Sequence, residues 1–146
     1  MSNGTQILVD SDAFVGLLLE KDAHHERSAR LFAEVASQGA SIVTNSFVVS
    51  ETATVLSHRV GQEVARLFLD EVIEQGRFPT VFVTEALQQQ AIEIFKMQES
   101  RGTSMTDCVN VAIMQQLQIS TIFSFDTFYS KRCNLKLLGE SFFPSR

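Results

Sequence analysis

The sequence predicts an α/β protein built on a parallel β-sheet that helices cover on both faces. Short apolar runs rich in β-branched residues alternate with longer segments whose apolar residues recur at helical spacing. Two of the short runs end abruptly in aspartate, which is typical of a sheet with a polar site at its carboxyl edge. The alternation favours parallel pairing, because each crossover helix returns the chain to the same edge of the sheet.

The first part of the chain is predicted to contain two strands and three helices. The first strand is cut off by Asp10, and Gly39 stops the second helix. The polar residues 44–46 are candidate N-caps for the third helix, which ends before Gly61. In order, these elements are predicted at residues 6–9, from about 14, at about 25–36, at 41–43 and at 47–59.

The remaining part is predicted to contain three helices and three strands. Gly76 and Gly102 end the first two of these helices, and the Ser-x-x-Asp pattern from Ser104 to Asp107 starts the third. Phe142-Phe143-Pro144 suggests a tail that is packed by its two aromatic residues. In order, the elements are predicted at residues 62–74, 80–83, 85–99, from 104 to about 117, at 121–125, and at 135–138 as an edge strand.

Length and composition favour one soluble domain spanning residues 1–146. The chain is 45% hydrophobic and 20% charged, as ordinary globular proteins are. Residues 1–6 do not resemble a signal peptide, and no apolar run approaches the ~20 residues that cross a membrane, so we expect a cytoplasmic protein with no membrane partner. Cys108 and Cys133 have no metal-type spacing and are interpreted as reduced thiols.

Four acids are candidates for one metal site. Asp10 and Asp126 each follow a strand, so neighbouring parallel strands would bring them to one rim. Glu51 and Asp107 lie near helix N-termini, where the helix dipole favours a carboxylate. Clustered carboxylates suit hard divalent cations such as Mg²⁺ or Mn²⁺. Taken alone, Asp107 is explained equally well as a helix cap.

The net charge of -5 argues against a broadly basic surface for nucleic acid. A site built from carboxylates is itself acidic, however, and a bound divalent cation reverses the local sign where a phosphate must sit. The acidic balance therefore leaves phosphate chemistry open.

Four segments, in order, resemble the motifs of VapC-like PIN-domain proteins. Each holds one of the four acids, and together they extend the resemblance from about residue 7 to residue 138. The segments are Ile7-Leu8-Val9-Asp10-Ser11-Asp12-Ala13-Phe14, Thr44-Asn45-Ser46-Phe47-Val48-Val49-Ser50-Glu51-Thr52, Ser104-Met105-Thr106-Asp107-Cys108, and Ile122-Phe123-Ser124-Phe125-Asp126 with Tyr129.

The resemblance implies a three-layer PIN-like domain with a central parallel sheet. It also implies a Mg²⁺- or Mn²⁺-dependent endoribonuclease, the toxin of a toxin–antitoxin pair, which acts on RNA, forms a homodimer and is neutralised by an antitoxin protein. Carried over by position, the metal-site acids are Asp10, Glu51, Asp107 and Asp126. Asp12 stands where the family more usually has a small polar residue; it either caps the following helix, which we favour slightly, or joins the metal site.

Two other functions compete with this one. Asp10-Ser11-Asp12 after a strand also resembles the nucleophile motif of haloacid-dehalogenase-like phosphatases, although Phe14 does not fit that motif and Glu51 would have no role. A catalytically weak PIN-like module that binds RNA or a protein is the second alternative.

Overall fold

The computed structural model describes residues 5–140 and contains five strands and seven α-helices in that range. The strands are β1 (Gln6–Val9), β2 (Ser41–Asn45), β3 (Thr80–Val81), β4 (Thr121–Phe123) and β5 (Lys136–Leu137). The helices are α1 (Ser11–Leu18), α2 (His25–Gln38), α3 (Ser46–Arg59), α4 (Gln62–Leu69), α5 (Glu85–Lys96), α6 (Met105–Leu117) and α7 (Phe128–Arg132), with a π-helical turn at Asp70–Glu74.

The five strands form one parallel sheet in the order β3-β2-β1-β4-β5. The chain runs outward from β1 through β2 to β3, then crosses the sheet to place β4 on the other side of β1. Strand order therefore reverses between β1 and β4, whose registers pair Ile7 with Thr121 and Val9 with Phe123. Ligands of open parallel sheets bind at the carboxyl edge beside such a reversal, and Asp10 and Asp126 follow these two strands.

Two apolar cores lie on opposite faces of the sheet. Alternate residues of β1 divide between them, since Ile7 and Val9 belong to one core and Leu8 to the other. The first core is closed by α1 to α4, and the second by α5, α6 and the aromatic residues of α7. The predicted three-layer α/β architecture is confirmed.

The structure differs from the predicted elements in several places. The predicted helix 62–74 changes to a π-helical turn at Asp70, where the Gln75 amide donates to the Asp70 carbonyl oxygen five residues back. The strand predicted at 121–125 ends at Phe123, because the Phe125 amide donates to the Asp12 carboxylate instead of to a strand. Helix α7 is not predicted, since five residues are too few to show a period. The tail 142–144 lies outside the described residues.

Several smaller expectations hold. Asn45 is the N-cap of α3, and the Ser104–Asp107 capping box starts α6. Cys108 and Cys133 are free thiols. None of the helices in the described range is both long enough and apolar enough to cross a membrane.

Candidate active site

Asp10 lies at the end of β1 and is only 5% exposed. Its Oδ1 accepts hydrogen bonds from the Ser11 amide at 2.8 Å and from Nδ2 of Asn110 at 3.0 Å. Its Oδ2 accepts from the hydroxyls of Ser124 at 2.9 Å and Tyr129 at 3.0 Å. Four donor groups therefore surround this carboxylate, and each of the two hydroxyls among them is shared with a second acid.

Tyr129 lies between two of the predicted acids. Its hydroxyl is 3.0 Å from Oδ2 of Asp10 and 3.1 Å from Oδ1 of Asp107. A phenol carries one proton, so it donates to only one of the two carboxylates at a time. Asp10 and Asp107 therefore compete for one hydrogen-bond donor. Neither acid forms an ion pair with a described Lys, Arg or His side chain.

Asn110 and Asn45 complete a buried polar network behind these acids. The two amide protons of Asn110 go to Asp10 and to the Tyr129 hydroxyl, while its Oδ1 accepts from Nδ2 of Asn45 at 2.8 Å. The Asn45 Oδ1 accepts from two backbone amides at the start of α3. Because every polar group of both side chains is used, the network holds α3, α6 and β1 in a fixed relation.

Asp107 combines the two roles that the sequence left open. Its Oδ2 accepts from the Ser104 amide at 2.9 Å, which closes the capping box of α6. Its Oδ1 faces the Tyr129 hydroxyl, and the side chain also lines an open pocket together with Asp126. The capping hydrogen bond thus orients the Asp107 carboxylate so that its other oxygen, Oδ1, faces Tyr129.

Asp126 is exposed, in contrast to Asp10 and Asp107. Its own carboxylate accepts from the Phe128 amide at 2.9 Å, which starts α7. Its amide donates to Oγ of Ser124, the same side chain that donates to Asp10. The turn after β4 therefore places Asp126 at the mouth of the site and links it to the buried acid.

Asp12 does not cap the helix, so the interpretation we favoured from the sequence is wrong. Asp10 is the N-cap residue of α1. Oδ2 of Asp12 accepts from the Phe125 amide at 2.8 Å, because the turn after β4 packs against the start of α1. It also lies 3.2 Å from the Ser124 hydroxyl, whose single proton Asp12 shares with Asp10. Oδ1 of Asp12 is buried and has no hydrogen-bond donor among the described residues.

Glu51 lies in the second turn of α3 and reaches the other acids only indirectly. The Ser11 hydroxyl donates to its Oε2, and the Ser11 amide donates to Asp10. Glu51 lines a separate depression with Phe47 and Thr106, not the pocket of Asp107 and Asp126. Three of the four predicted acids are therefore joined by the Tyr129 and Ser124 hydroxyls, and the fourth is joined to Asp10 through Ser11.

Burial and mutual repulsion raise the pKa values of the inner acids. Burial and the charge of Asp12 raise the pKa of Asp10 to about 7, despite the donors around it. Burial raises the pKa of Asp12 to about 6, against the Phe125 and Ser124 hydrogen bonds that lower it. The pKa of Asp107 is also raised, by burial and by the charge of Asp126. Burial and the charges of Asp10 and Asp107 raise the pKa of Tyr129.

The chemistry of this donor set fits a hard cation. Every donor atom is oxygen, one hydroxyl proton serves two carboxylates, and a buried Asp12 oxygen has no donor in the part of the chain that the structure describes. Within residues 5–140, however, no group of three or more His, Cys, Asp or Glu side chains has the arrangement to hold an ion by itself. An ion that keeps several waters and uses one or two carboxylates, as Mg²⁺ does, is compatible with both observations.

The sequence interpretation did not single out Asn110, and it included Ser124 and Tyr129 in the fourth motif without assigning them a role. Asn110 is the single polar side chain in the buried stretch 108–114 of α6, three residues after Asp107, and that isolation is a usable signal. Tyr129 is the only tyrosine of the chain and follows a strand-end acid by three residues. The role of Ser124 depends on the turn after β4 and has no comparable sequence signal.

Curated relatives and solved structures give a consistent comparison. The chain is 26% identical over 141 residues to a VapC ribonuclease of Archaeoglobus fulgidus, covering 94% of this chain and 85% of that protein. It is 29% identical over 128 residues to the 23S rRNA-specific endonuclease VapC20 of Mycobacterium tuberculosis, covering 85% and 92%.

The crystal structure of that VapC20, described as a sarcin–ricin loop cleaving toxin, superposes with a TM-score of 0.77 at 27% identity and the same coverage of 85% and 92%. VapBC2 from Rickettsia felis, bound to a DNA fragment from its promoter, shares the fold alone, with a TM-score of 0.63 at 16% identity over 91% of this chain and 97% of that one.

The model of the PIN domain matches residues 7–134, a range that includes all four predicted acids. The resemblance inferred from the sequence is confirmed, and the chain belongs to the PIN domain family.

Proposed function

We propose that this protein is a metal-dependent endoribonuclease that acts as the toxin of a toxin–antitoxin pair. The observation that carries the proposal is the joining of Asp10 and Asp107 by the Tyr129 hydroxyl beside the exposed Asp126. Relatives described as ribonucleases and as a 23S rRNA-specific endonuclease support an RNA substrate. The phosphatase hypothesis is not favoured, because the family matched is the PIN domain.

In this proposal Asp107 and Asp126 hold a Mg²⁺ or Mn²⁺ ion with its waters, and Asp10 and Glu51 complete the acidic surroundings. When bound, the ion would supply charge that offsets the scissile phosphate and would acidify water, which is the chemistry for a hydrolysis that leaves a 3′-hydroxyl and a 5′-phosphate. The protein orients the acids: Tyr129 and the Ser104 cap fix Asp107, while Ser124 ties Asp126 to Asp10. Preorganised charge of this kind is the main source of rate enhancement in such sites.

The test is cleavage of an RNA pool, with a ribosomal RNA fragment that contains the sarcin–ricin loop as one substrate. Wild-type protein is assayed with Mg²⁺ or Mn²⁺ and with EDTA, beside Asp126→Asn and the matched control Asp70→Asn, which alters another exposed aspartate. We expect cleavage that requires the metal, is lost in Asp126→Asn and is retained in Asp70→Asn. Metal-independent cleavage, or equal activity of the two variants, would contradict the proposal. RNA binding without cleavage would favour the binding-module alternative.

We also propose a protein partner, an antitoxin, and a homodimer. An apolar groove of about 370 Å³ lies between α1 and α4 and leaves Leu18 42% and Leu67 59% exposed. Such a groove suits the apolar face of a partner helix. Co-expression with the protein from a small adjacent reading frame tests the first point, because a cognate antitoxin would co-purify and suppress cleavage. Light scattering of the free protein at several concentrations tests the second.

A further inference from the structure

The pocket beside the exposed acid is lined by both signs of charge. It has a volume of about 370 Å³, and besides Asp107 and Asp126 it is lined by Arg101, Lys131 and Arg132. All three cationic side chains are exposed. The volume is at the lower end of the ~300–1,000 Å³ typical of ligand pockets. The pocket can therefore take a short piece of an anionic chain that runs past the acids.

Two of the three cations lie on the same short helix as the tyrosine of the acid network. Lys131 and Arg132 form the last turn of α7, and Tyr129 of the same short helix contacts Asp10 and Asp107. The Asp126 carboxylate accepts from the Phe128 amide at the start of this helix. One five-residue helix thus carries the buried hydroxyl on its inner side and two cations at the pocket.

Arg101 reaches the pocket from a different segment of the chain than Lys131 and Arg132 do. It lies in the turn between α5 and α6, three residues before the Ser104 cap that fixes Asp107. Arg101 therefore lies in the turn that ends at Ser104, the N-cap of the helix that carries Asp107. Cations from two separate segments converge on the pocket that the acids open into.

These cations do not neutralise the acids. The ion pairs within residues 5–140 are Arg59 with Asp22 and Arg77 with Glu71, and none of the three pocket cations takes part in one. A purely solvated role is a poor explanation as well. The chain has net charge -5 and only twelve Lys and Arg residues, and three of them line this one pocket.

We propose that Arg101, Lys131 and Arg132 bind a backbone phosphate of the RNA strand next to the phosphate that is cleaved. This inference rests on the proposed ribonuclease function and deepens it. A guanidinium matches phosphate oxygens in a two-pronged geometry, and a lysine adds a flexible point charge. Interactions of this kind position a strand without reading its bases.

The proposal predicts a salt-dependent and sequence-independent contribution to binding. For a single strand, each phosphate that the protein neutralises contributes about 0.7 to the magnitude of the slope of log K against log salt. Because the three cations share one phosphate, removing all three reduces that magnitude by about 0.7, and removing one of them reduces it by less. The effect is expected to be equal for RNAs of different sequence. The three side chains are exposed, so their removal is not expected to affect folding.

The test measures fluorescence anisotropy of a labelled mixed-sequence RNA oligonucleotide and of a labelled oligouridine, in EDTA to prevent metal-dependent cleavage, over a series of salt concentrations. The variants are Arg101→Ala, Lys131→Ala, Arg132→Ala and the triple variant. Arg66→Ala is the matched control, since Arg66 is exposed on α4 and does not line the pocket. Cleavage by each variant is measured in parallel with Mn²⁺, and its thermal midpoint confirms folding.

We expect a lower salt slope for each pocket variant, the lowest slope for the triple variant, and a raised KM in cleavage with kcat less affected. The result that overturns the proposal is a folded triple variant that binds both RNAs as Arg66→Ala does, or a wild-type protein that binds neither. If that triple variant still cleaves, the ribonuclease function stands without this phosphate site. If wild type binds through these residues but never cleaves, the phosphate site stands and the proposed function fails.

Discussion

The hydroxyl oxygen of Tyr129 lies 3.0 Å from Oδ2 of Asp10, although 119 residues separate the two in sequence. The hydrogen bond joins the end of β1, near the start of the chain, to α7, near its end. The same hydroxyl accepts from Nδ2 of Asn110. Its removal leaves a buried amide proton of Asn110 without this acceptor and the Asp10 carboxylate with one donor fewer.

Tyr129→Phe is therefore expected to destabilise the protein by ~1–3 kcal/mol and to lower RNA cleavage, because the phenol no longer orients Asp107. Urea unfolding and a cleavage assay measure the two effects. Ser37→Ala, which removes an exposed hydroxyl from α2, is the control and should change neither. A Tyr129→Phe protein with wild-type stability and activity would show that the hydroxyl does not organise the acids.

Metal-free stability is expected to fall as pH rises from about 4 to about 7. The pKa values of Asp10 and Asp12 are raised to about 7 and about 6, so the folded state retains protons that the unfolded state releases near pH 4. Stability from these groups is thus fully present below pH 4 and is lost as the folded carboxyls ionise. Urea unfolding in EDTA at pH 5 and pH 8 measures this change. Asp10→Asn should flatten it, and a pH-independent wild type would contradict it.

Divalent cation is expected to stabilise the protein, and more so at pH 8 than at pH 5. Cation binding requires ionised carboxylates, and a ligand that binds only the folded state raises its stability by RT ln(1 + [L]/Kd). Thermal unfolding with increasing Mn²⁺ measures the shift, which should shrink in Asp126→Asn and persist in Asp70→Asn. No shift at millimolar Mn²⁺ would contradict cation binding by the folded protein, and an equal shift in both variants would place the cation elsewhere.

Asp12 offers a test of whether charge or hydrogen bonding matters at its position. Asp12→Asn keeps an acceptor for the Phe125 amide and removes a buried charge, so stability at pH 8 should be equal or higher. Asp12→Ala leaves that amide unpaired and should cost ~1–3 kcal/mol. Urea unfolding compares the two variants. If Asp12→Asn also abolishes the Mn²⁺-dependent stabilisation, Asp12 belongs to the metal site.

The sequence was sufficient for the architecture and for the strand-end and helix-start positions of Asp10, Asp107 and Asp126, but not for their surroundings. Asp10 and Asp126 were placed at strand ends because each follows an apolar run that stops at a polar residue, and this pattern can be read from the sequence alone. The capping box at Ser104 and Asp107 is likewise a local pattern. These features were predicted because the interactions behind them join residues close together in the chain.

The features that were missed depend on interactions between distant segments. Asp12 has the position of a helix-start acid, yet its partners are the Phe125 amide and the Ser124 hydroxyl, more than a hundred residues away. Glu51 was expected to converge with the other acids, and whether it acts with them stays a prediction; the structure links it to Asp10 only through Ser11. Hydrogen bonds between residues so far apart in the chain do not produce a periodic pattern in the sequence, so pattern analysis does not detect them.

The order of the strands determines when, during synthesis of the chain, the acidic site can form. Strand β1 leaves the ribosome early, but its partner β4, the Ser124 hydroxyl 114 residues after Asp10, and Tyr129 are all made near the end of synthesis. A nascent chain therefore carries Asp10 without the groups that orient it. In the proposed ribonuclease, the site would therefore be complete only when translation is nearly finished.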